Sequence, residues 1–244
     1  AYGRHVGVWN AADQNAADQN AADQSVVTTL NFDASSVLDL AWHPRGDRLS
    51  VSGNQVIKTW QRQGWDDDPI VLETGIASDA IAWSLDGHYF AAGNNDRSVM
   101  MWKGGDPHPW HMQGFPGKVR QLAWSMAATS LGSPMLASMS GQTVTVSTQS
   151  ADPSTGWKTK PLDTHQRTVS AIAFQPNTLL LASAAEDGRL CLWHGGIHLA
   201  QTLEHQSTEF SCLAWSPSGK AIAAGGSQGE LLLWAEIAPG KGFG

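Results

Sequence analysis

Three side chains in this chain could form a nucleophilic triad: His165, Ser183 and Asp187. Such a triad needs a serine hydroxyl against an imidazole, a carboxylate to orient the ring, and donors for an oxyanion. Ser183 stands inside LLLASAAEDG, in the middle of a strand-like string and not on a strained, exposed elbow. No glycine-rich oxyanion loop accompanies it. The three therefore read as a structural set, and no catalytic residue is assigned. Nine histidines invite a metal reading. His108 and His111 stand in HPWH, His194 and His198 in HGGIH, and His88 falls at the same end of the molecule. Imidazole is a favoured zinc ligand, and closely spaced histidines can chelate. The spacing fixes no third ligand, so metal-free loop histidines are the preferred reading. The acidic run WDDDP at 65–69 lacks the ligand spacing of a calcium loop, and GNNDR at 93–97 is too short to cradle a phosphate. Cys191 and Cys212 sit in the apolar strings LCLW and FSCLAW, which predicts buried free thiols. No cofactor is implied.

These residues hang on a repeat. Five copies read VLDLAWHPRGDRLSVS, DAIAWSLDGHYFAAG, VRQLAWSMAATSLGSPMLAS, VSAIAFQPNTLLLASA and SCLAWSPSGKAIAAG. Their aromatics, Trp42, Trp83, Trp124, Phe174 and Trp215, are spaced by 41, 41, 50 and 41 residues. A period of about 40–45 residues with four short strands per unit marks a propeller blade. The fold class is all-β: a β-propeller of four-stranded antiparallel blades, with five full repeats and part of a sixth. The strands, d, a, b and c in chain order, are predicted as follows. Strands a end near 42, 83, 124, 174 and 215. Strands b lie near 48–53, 88–92, 135–139, 179–184 and 220–224. Strands c end at Trp60, Trp102, Ser147, Trp193 and Trp234, and strands d lie near 26–32, 70–73, 109–113, 158–162 and 198–203. Gly46, Gly87 and Gly219 follow the strand-a aromatic by four residues, where a tight turn needs positive φ.

Two segments break the rhythm. Residues 125–134 read as an insertion between strands a and b of the third copy, whose strand c ends in Ser147 in place of tryptophan. Residues 11–24, AADQNAADQNAADQ, have a period of five that fits neither helix nor strand and read as a low-complexity loop. The long insertions, 10–25, 61–69, 103–108, 125–134 and 148–156, all fall at the a–b/c–d end. Trp65, Trp110 and Trp157 lie beside strands d, where they serve either as exposed binding anchors or as packing on the outer edge. Residues 4–9 and 26–32 supply only strands c and d of a first blade. Missing strands on both sides of one seam predict further strands upstream of Ala1. Residues 1–244 are read as a single propeller domain.

Composition bounds the rest. The chain is 41% hydrophobic and 15% charged, with a net charge of −7. That disfavours a nucleic-acid platform, which needs a basic face. No apolar run reaches membrane-spanning length and no signal segment opens the chain, so a cytoplasmic location is expected.

The copy LDTHQRTVSAIAFQPNTLLLASAAEDGRLCLW resembles the WD-repeat β-propeller family. It carries that family's histidine, serine, aspartate and tryptophan as His165, Ser183, Asp187 and Trp193. The resemblance implies a buried hydrogen-bonded chain among these four, and a ring of seven blades. Other copies depart from the pattern: Thr74 stands where the histidine would be, and Asn54, Gly141 and Gln228 stand where the aspartate would be. His205 lies near the histidine position of the last copy, and Asp96 matches the aspartate in the second. The expected function is a non-enzymatic protein-interaction scaffold. A protein or peptide partner would dock at the d–a/b–c face, with Asp33, Asn94, Asn95, Gln142, Glu186 and Gln228 as candidate contacts. The alternative is a metal-binding propeller using the five histidines named above.

Overall fold

Alternating apolar and polar residues fold here as 21 strands, with no helix among the described residues. The computed structural model describes residues 3–9, 26–33, 35–104, 106–152, 154–204 and 209–235. The AADQN repeat, His205 and the tail after residue 235 lie outside the described residues. Strands β1 (His5–Trp9) and β2 (Val26–Asn31) form a two-stranded sheet. The first blade is β3 (Asp39–Trp42), β4 (Arg48–Ser52), β5 (Val56–Gln61) and β6 (Ile70–Glu73). The second is β7 (Ser78–Trp83), β8 (Tyr89–Asn94), β9 (Ser98–Lys103) and β10 (Trp110–Gln113). The third is β11 (Val119–Ala128), β12 (Pro134–Ser140), β13 (Thr143–Gln149) and β14 (Trp157–Leu162). The fourth is β15 (Val169–Phe174), β16 (Leu181–Ala185), β17 (Arg189–His194) and β18 (His198–Glu204). The fifth contains β19 (Phe210–Trp215), β20 (Ala221–Gly226) and β21 (Leu231–Ala235). Every blade is an antiparallel meander in chain order.

The a–b turns close as their sequence demands. Gly46, Gly87 and Gly219 take φ of 66°, 72° and 71°, and their amides donate to the carbonyls of His43, Ser84 and Ser216. The fourth copy has no glycine there, and Asn177 adopts φ 58°, a conformation asparagine tolerates. The insertion in the third copy stands between strands a and b, as its sequence suggests. β11 runs on to Ala128 and β12 starts at Pro134, so the extra residues mostly lengthen a hairpin, with an irregularity between Trp124 and Ala128.

Blades stack through apolar clusters that cross their boundaries. Tyr89, Val99 and Met101 of the second blade pack with Val119, Trp124 and Leu136 of the third. Gly93 permits that approach, because a Cβ there would lie 2.6 Å from the Val119 side chain. The repeated Ala–Trp pair has a second use. The Trp124 indole N–H donates to the Ala82 carbonyl and that of Trp215 to the Ala173 carbonyl, each at 3.2 Å. Each bond spans one blade boundary. The two remaining boundaries between strands a use a side-chain acceptor instead. Asp39 accepts the Ile81 amide at 2.8 Å, and Gln121 accepts the Ile172 amide at 2.9 Å.

At the seam, β1 and β2 cover β4 and β5 through Val6, Leu30, Phe32, Leu49, Val51 and Trp60. Strand β3 stays partly uncovered, with Trp42 46% exposed. On the other side Leu231 and Leu233 are 76% and 69% exposed. Among the described residues no strand pairing joins β21 to β1 or β2.

Candidate partner-binding face and the network beneath it

The fourth blade brings four distant residues into one buried chain. His165 comes from the loop before β15, Ser183 from β16, Asp187 from the β16–β17 turn and Trp193 from β17. The Trp193 indole N–H donates to Ser183 Oγ at 2.9 Å. Ser183 Oγ lies 2.8 Å from His165 Nε2, and His165 Nδ1 lies 3.2 Å from Asp187 Oδ2. Asp187 also accepts the amides of Gln166 and Arg189 at 2.8 and 3.1 Å. One proton arrangement satisfies every contact: Nδ1–H to the carboxylate, and the serine O–H to an unprotonated Nε2. Burial pushes the His165 pKa below its ordinary value, and the Asp187 charge only partly opposes it. The neutral imidazole this chain requires is thereby favoured. Ser183 is fully buried, with the indole capping its oxygen. No substrate carbonyl can reach it, so this trio pins the blade and is not a nucleophile.

Other blades fasten the same joint differently. In the second, Ser78 Oγ donates to Asn94 Oδ1 at 2.8 Å, Asn94 Nδ2 donates to Ser98 Oγ at 2.9 Å, and Ser98 Oγ donates to Asp96 at 2.6 Å. In the third, Ser140 Oγ accepts the Gly117 amide and donates to the Gly117 carbonyl. A backbone lock recurs as well: the amides of Asn95, Glu186 and Ser227 donate to the carbonyls of Ala77, Thr168 and Glu209. These bonds fix the b–c turns against the loops that precede strands a.

The candidate contacts divide on this scaffold. Asp33, Asn95, Gln142 and Gln228 are exposed, and Asp33 holds φ 59°. Asn94 is corrected: it is fully buried with its amide spent on two serines, so no partner can touch it. It closes strand β8, and its side chain turns inward where that of Asn95 turns out. Glu186 is half-buried and engaged. Its carbonyl accepts from Arg167 at 3.0 Å, and its carboxylate lies 3.8 Å from the same guanidinium, which also binds Glu209 across the blade boundary. Arg167, missed in the sequence reading, therefore belongs to this face.

The opposite end carries the histidines. His88, His108, His111, His194 and His198 are all exposed. His194 and His198 face each other across β17 and β18, and His108 lies 3.4 Å from Asp106. Among the described residues no group of three potential ligands comes together. The metal expectation thus has pairs without a third donor. The three extra tryptophans pack. Trp157 is buried against Tyr89, Trp110 and Trp124, and Trp65 meets Trp42 edge to face at 5.9 Å. Cys191 is buried as expected, but Cys212, on β19, is exposed. Burial raises the Cys191 thiol to about 11.

Repeated four-stranded blades stitched strand a to strand a define a β-propeller. The model of the WD domain, G-beta repeat, matches residues 24–61, 75–103, 156–194 and 198–235, more than half of the chain. The chain belongs to the WD-repeat family. Strands β11, β12 and β13 of the third blade fall between these matches, yet they form a full blade with β14. The chain is similar to Protein HIR1 of Cryptococcus neoformans var. neoformans serotype D, 26% identical over 248 residues, covering 86% of this chain and 27% of that protein. It also resembles Protein HIR1 of Eremothecium gossypii, 25% identical over 176 residues, covering 59% of this chain and 20% of that one. The chain spans only about a quarter of the fungal protein's length. Among solved structures, a chain in the crystal structure of a mitotic checkpoint complex superposes with a TM-score of 0.64 at 18% identity. The match covers 80% of this chain and 59% of that one, and shows the shared fold.

Proposed function

We propose that this protein is a non-enzymatic interaction scaffold whose d–a/b–c face docks a protein or peptide partner. The observation that carries this reading is the set of exposed polar turn tips held by buried locks. Asn95, Gln142 and Gln228 project from turns whose backbones are fixed to the neighbouring loops, so the surface is ordered before a partner arrives. Preorganised polar groups lose little freedom on binding. Asp33, Glu186 and Arg167 add charge of both signs at the same end, which favours a partner of mixed charge over a polyanion. Membership of the WD-repeat family supports the reading, as does the occurrence of a similar fold within a multiprotein complex.

The test is a quantitative pull-down from the source cell with wild-type protein and an Asn95→Arg, Gln142→Arg, Gln228→Arg variant. All three positions are exposed, so the fold is expected to persist. Partner recovery is expected to drop in the variant. Unchanged recovery of every specific partner would remove this face from consideration.

A further inference from the structure

In the first, second, fourth and fifth blades the third residue after strand b takes a left-handed backbone. These residues are Gln55, Arg97, Gly188 and Gly229, with φ of 71°, 69°, 77° and 92°. The four b–c turns are thus equivalent, yet two of them place a long side chain where the other two have glycine. Building on the d–a/b–c face as the docking surface, we propose that Gln55 and Arg97 are contact residues of that face. Arg97 would meet a hydrogen-bond acceptor of the partner, and Gln55 a main-chain peptide group.

Sterics make the two side chains conspicuous. A left-handed backbone crowds the Cβ of an L-residue, and glycine avoids the clash. Asparagine and aspartate tolerate the region best. The other two non-glycine residues with positive φ are of that kind, Asp33 and Asn177. The blade itself dictates the conformation of these turns. The Gln55 carbonyl accepts the Thr74 and Gly75 amides at 2.8 and 3.1 Å, and the Arg97 carbonyl accepts the Phe115 amide at 3.3 Å. Glycine would meet the same requirement with less strain.

Nothing within the described residues offsets that strain. Both side chains are exposed, and neither makes an ion pair or a side-chain hydrogen bond there. Strained backbone of this kind gathers at binding sites. Arg97 shares its turn with Asn95, an exposed tip of the face, and Gln55 holds the same place one blade earlier. Asp96 beside Arg97 keeps its charge while accepting from Ser98 Oγ, so the turn selects by hydrogen-bond geometry and not by net charge. A guanidinium carries only donors, so its partner group is a carboxylate or a main-chain carbonyl. A glutamine amide donates and accepts, as does a peptide group.

Two measurements on the 244-residue protein test this. In thermal melts, Gln55→Gly and Arg97→Gly are expected to leave the midpoint unchanged or raise it. Gly229→Gln is expected to lower it, although an added Cβ there meets nothing within 4 Å. A midpoint lowered by either glycine substitution, or untouched by Gly229→Gln, shows that the turns carry no such strain and overturns the proposal. The second measurement is a quantitative pull-down with source-cell extract as the probe. The Gln55→Gly, Arg97→Gly double variant is expected to recover partner at about one fifth of the wild-type level or less. Recovery by Arg97→Lys above that by Arg97→Gln identifies a carboxylate, and equality or the reverse a carbonyl. Full recovery by the double variant, with loss by the Asn95, Gln142 and Gln228 variant, overturns the proposal and leaves the face in place. Full recovery by both overturns the face and the proposal together.

Discussion

The third and fourth blades share one four-stranded plan and differ in what fills the joint behind strand c. Ser147 pairs with Leu136 in the third, and Trp193 pairs with Leu181 in the fourth, so the two residues occupy one register position. His165 and Phe115 likewise stand nine residues before their strand-a aromatics, and both are buried. The fourth blade thus uses imidazole, hydroxyl, carboxylate and indole in one satisfied chain. The third uses the apolar Phe115 and takes its aromatic bulk from strand d, where Trp157 joins the cluster containing Leu136. Ser147 Oγ and Trp157 Nε1 are left there without protein partners. The lesson is that one architectural joint accepts either a hydrogen-bonded or an apolar filling. The two fillings differ in their response to mutation and to pH.

Asp187→Ala is expected to have the largest effect. It strands His165 Nδ1 and the amides of Gln166 and Arg189, and should cost about 2–4 kcal/mol. A thermal midpoint equal to wild type would show that the chain contributes nothing. The same substitution at two serines then sharpens the comparison. Ser183→Ala removes a hydroxyl bonded to two partners and should cost about 1–3 kcal/mol. Ser147→Ala removes a buried hydroxyl with no protein partner and should be neutral or stabilising by up to about 1 kcal/mol. Urea titrations of both variants decide it, and losses of the same sign and size would erase the distinction drawn here.

The pH response follows from the same difference. The His165 pKa is lowered in the fold, mainly by burial. Below about pH 6.5 the unfolded chain takes up a proton at this histidine that the fold resists. Stability from this residue is therefore complete above that pH and falls as pH drops toward the lower folded value. His165→Gln should be less stable than wild type at neutral pH but flatter below it. Parallel melting curves across that range for the two proteins would contradict the assignment. Trp215→Phe should have a smaller effect, about 1 kcal/mol, through loss of the indole bond to the Ala173 carbonyl. A larger loss would place more of the stability at blade boundaries than within the fourth blade.

Much of this was legible in the sequence, because alternation and the recurring Ala–aromatic pair are local signals. The strand positions follow them closely, and the four-residue motif of the fourth blade marks its own network. The misreadings have physical causes. Asn94 and Asn95 are neighbours in a turn string, and only strand parity sends one inward. The bonds from Trp124 and Trp215 to alanine carbonyls cross between blades.

The claim that a satisfied polar chain holds the fourth blade more firmly than the apolar joint holds the third is tested most directly by native-state hydrogen exchange. Mass spectrometry of the intact protein would compare residues 135–147 with residues 187–193. Slower exchange in 187–193 is the predicted result. Equal protection, or greater protection in 135–147, would contradict it.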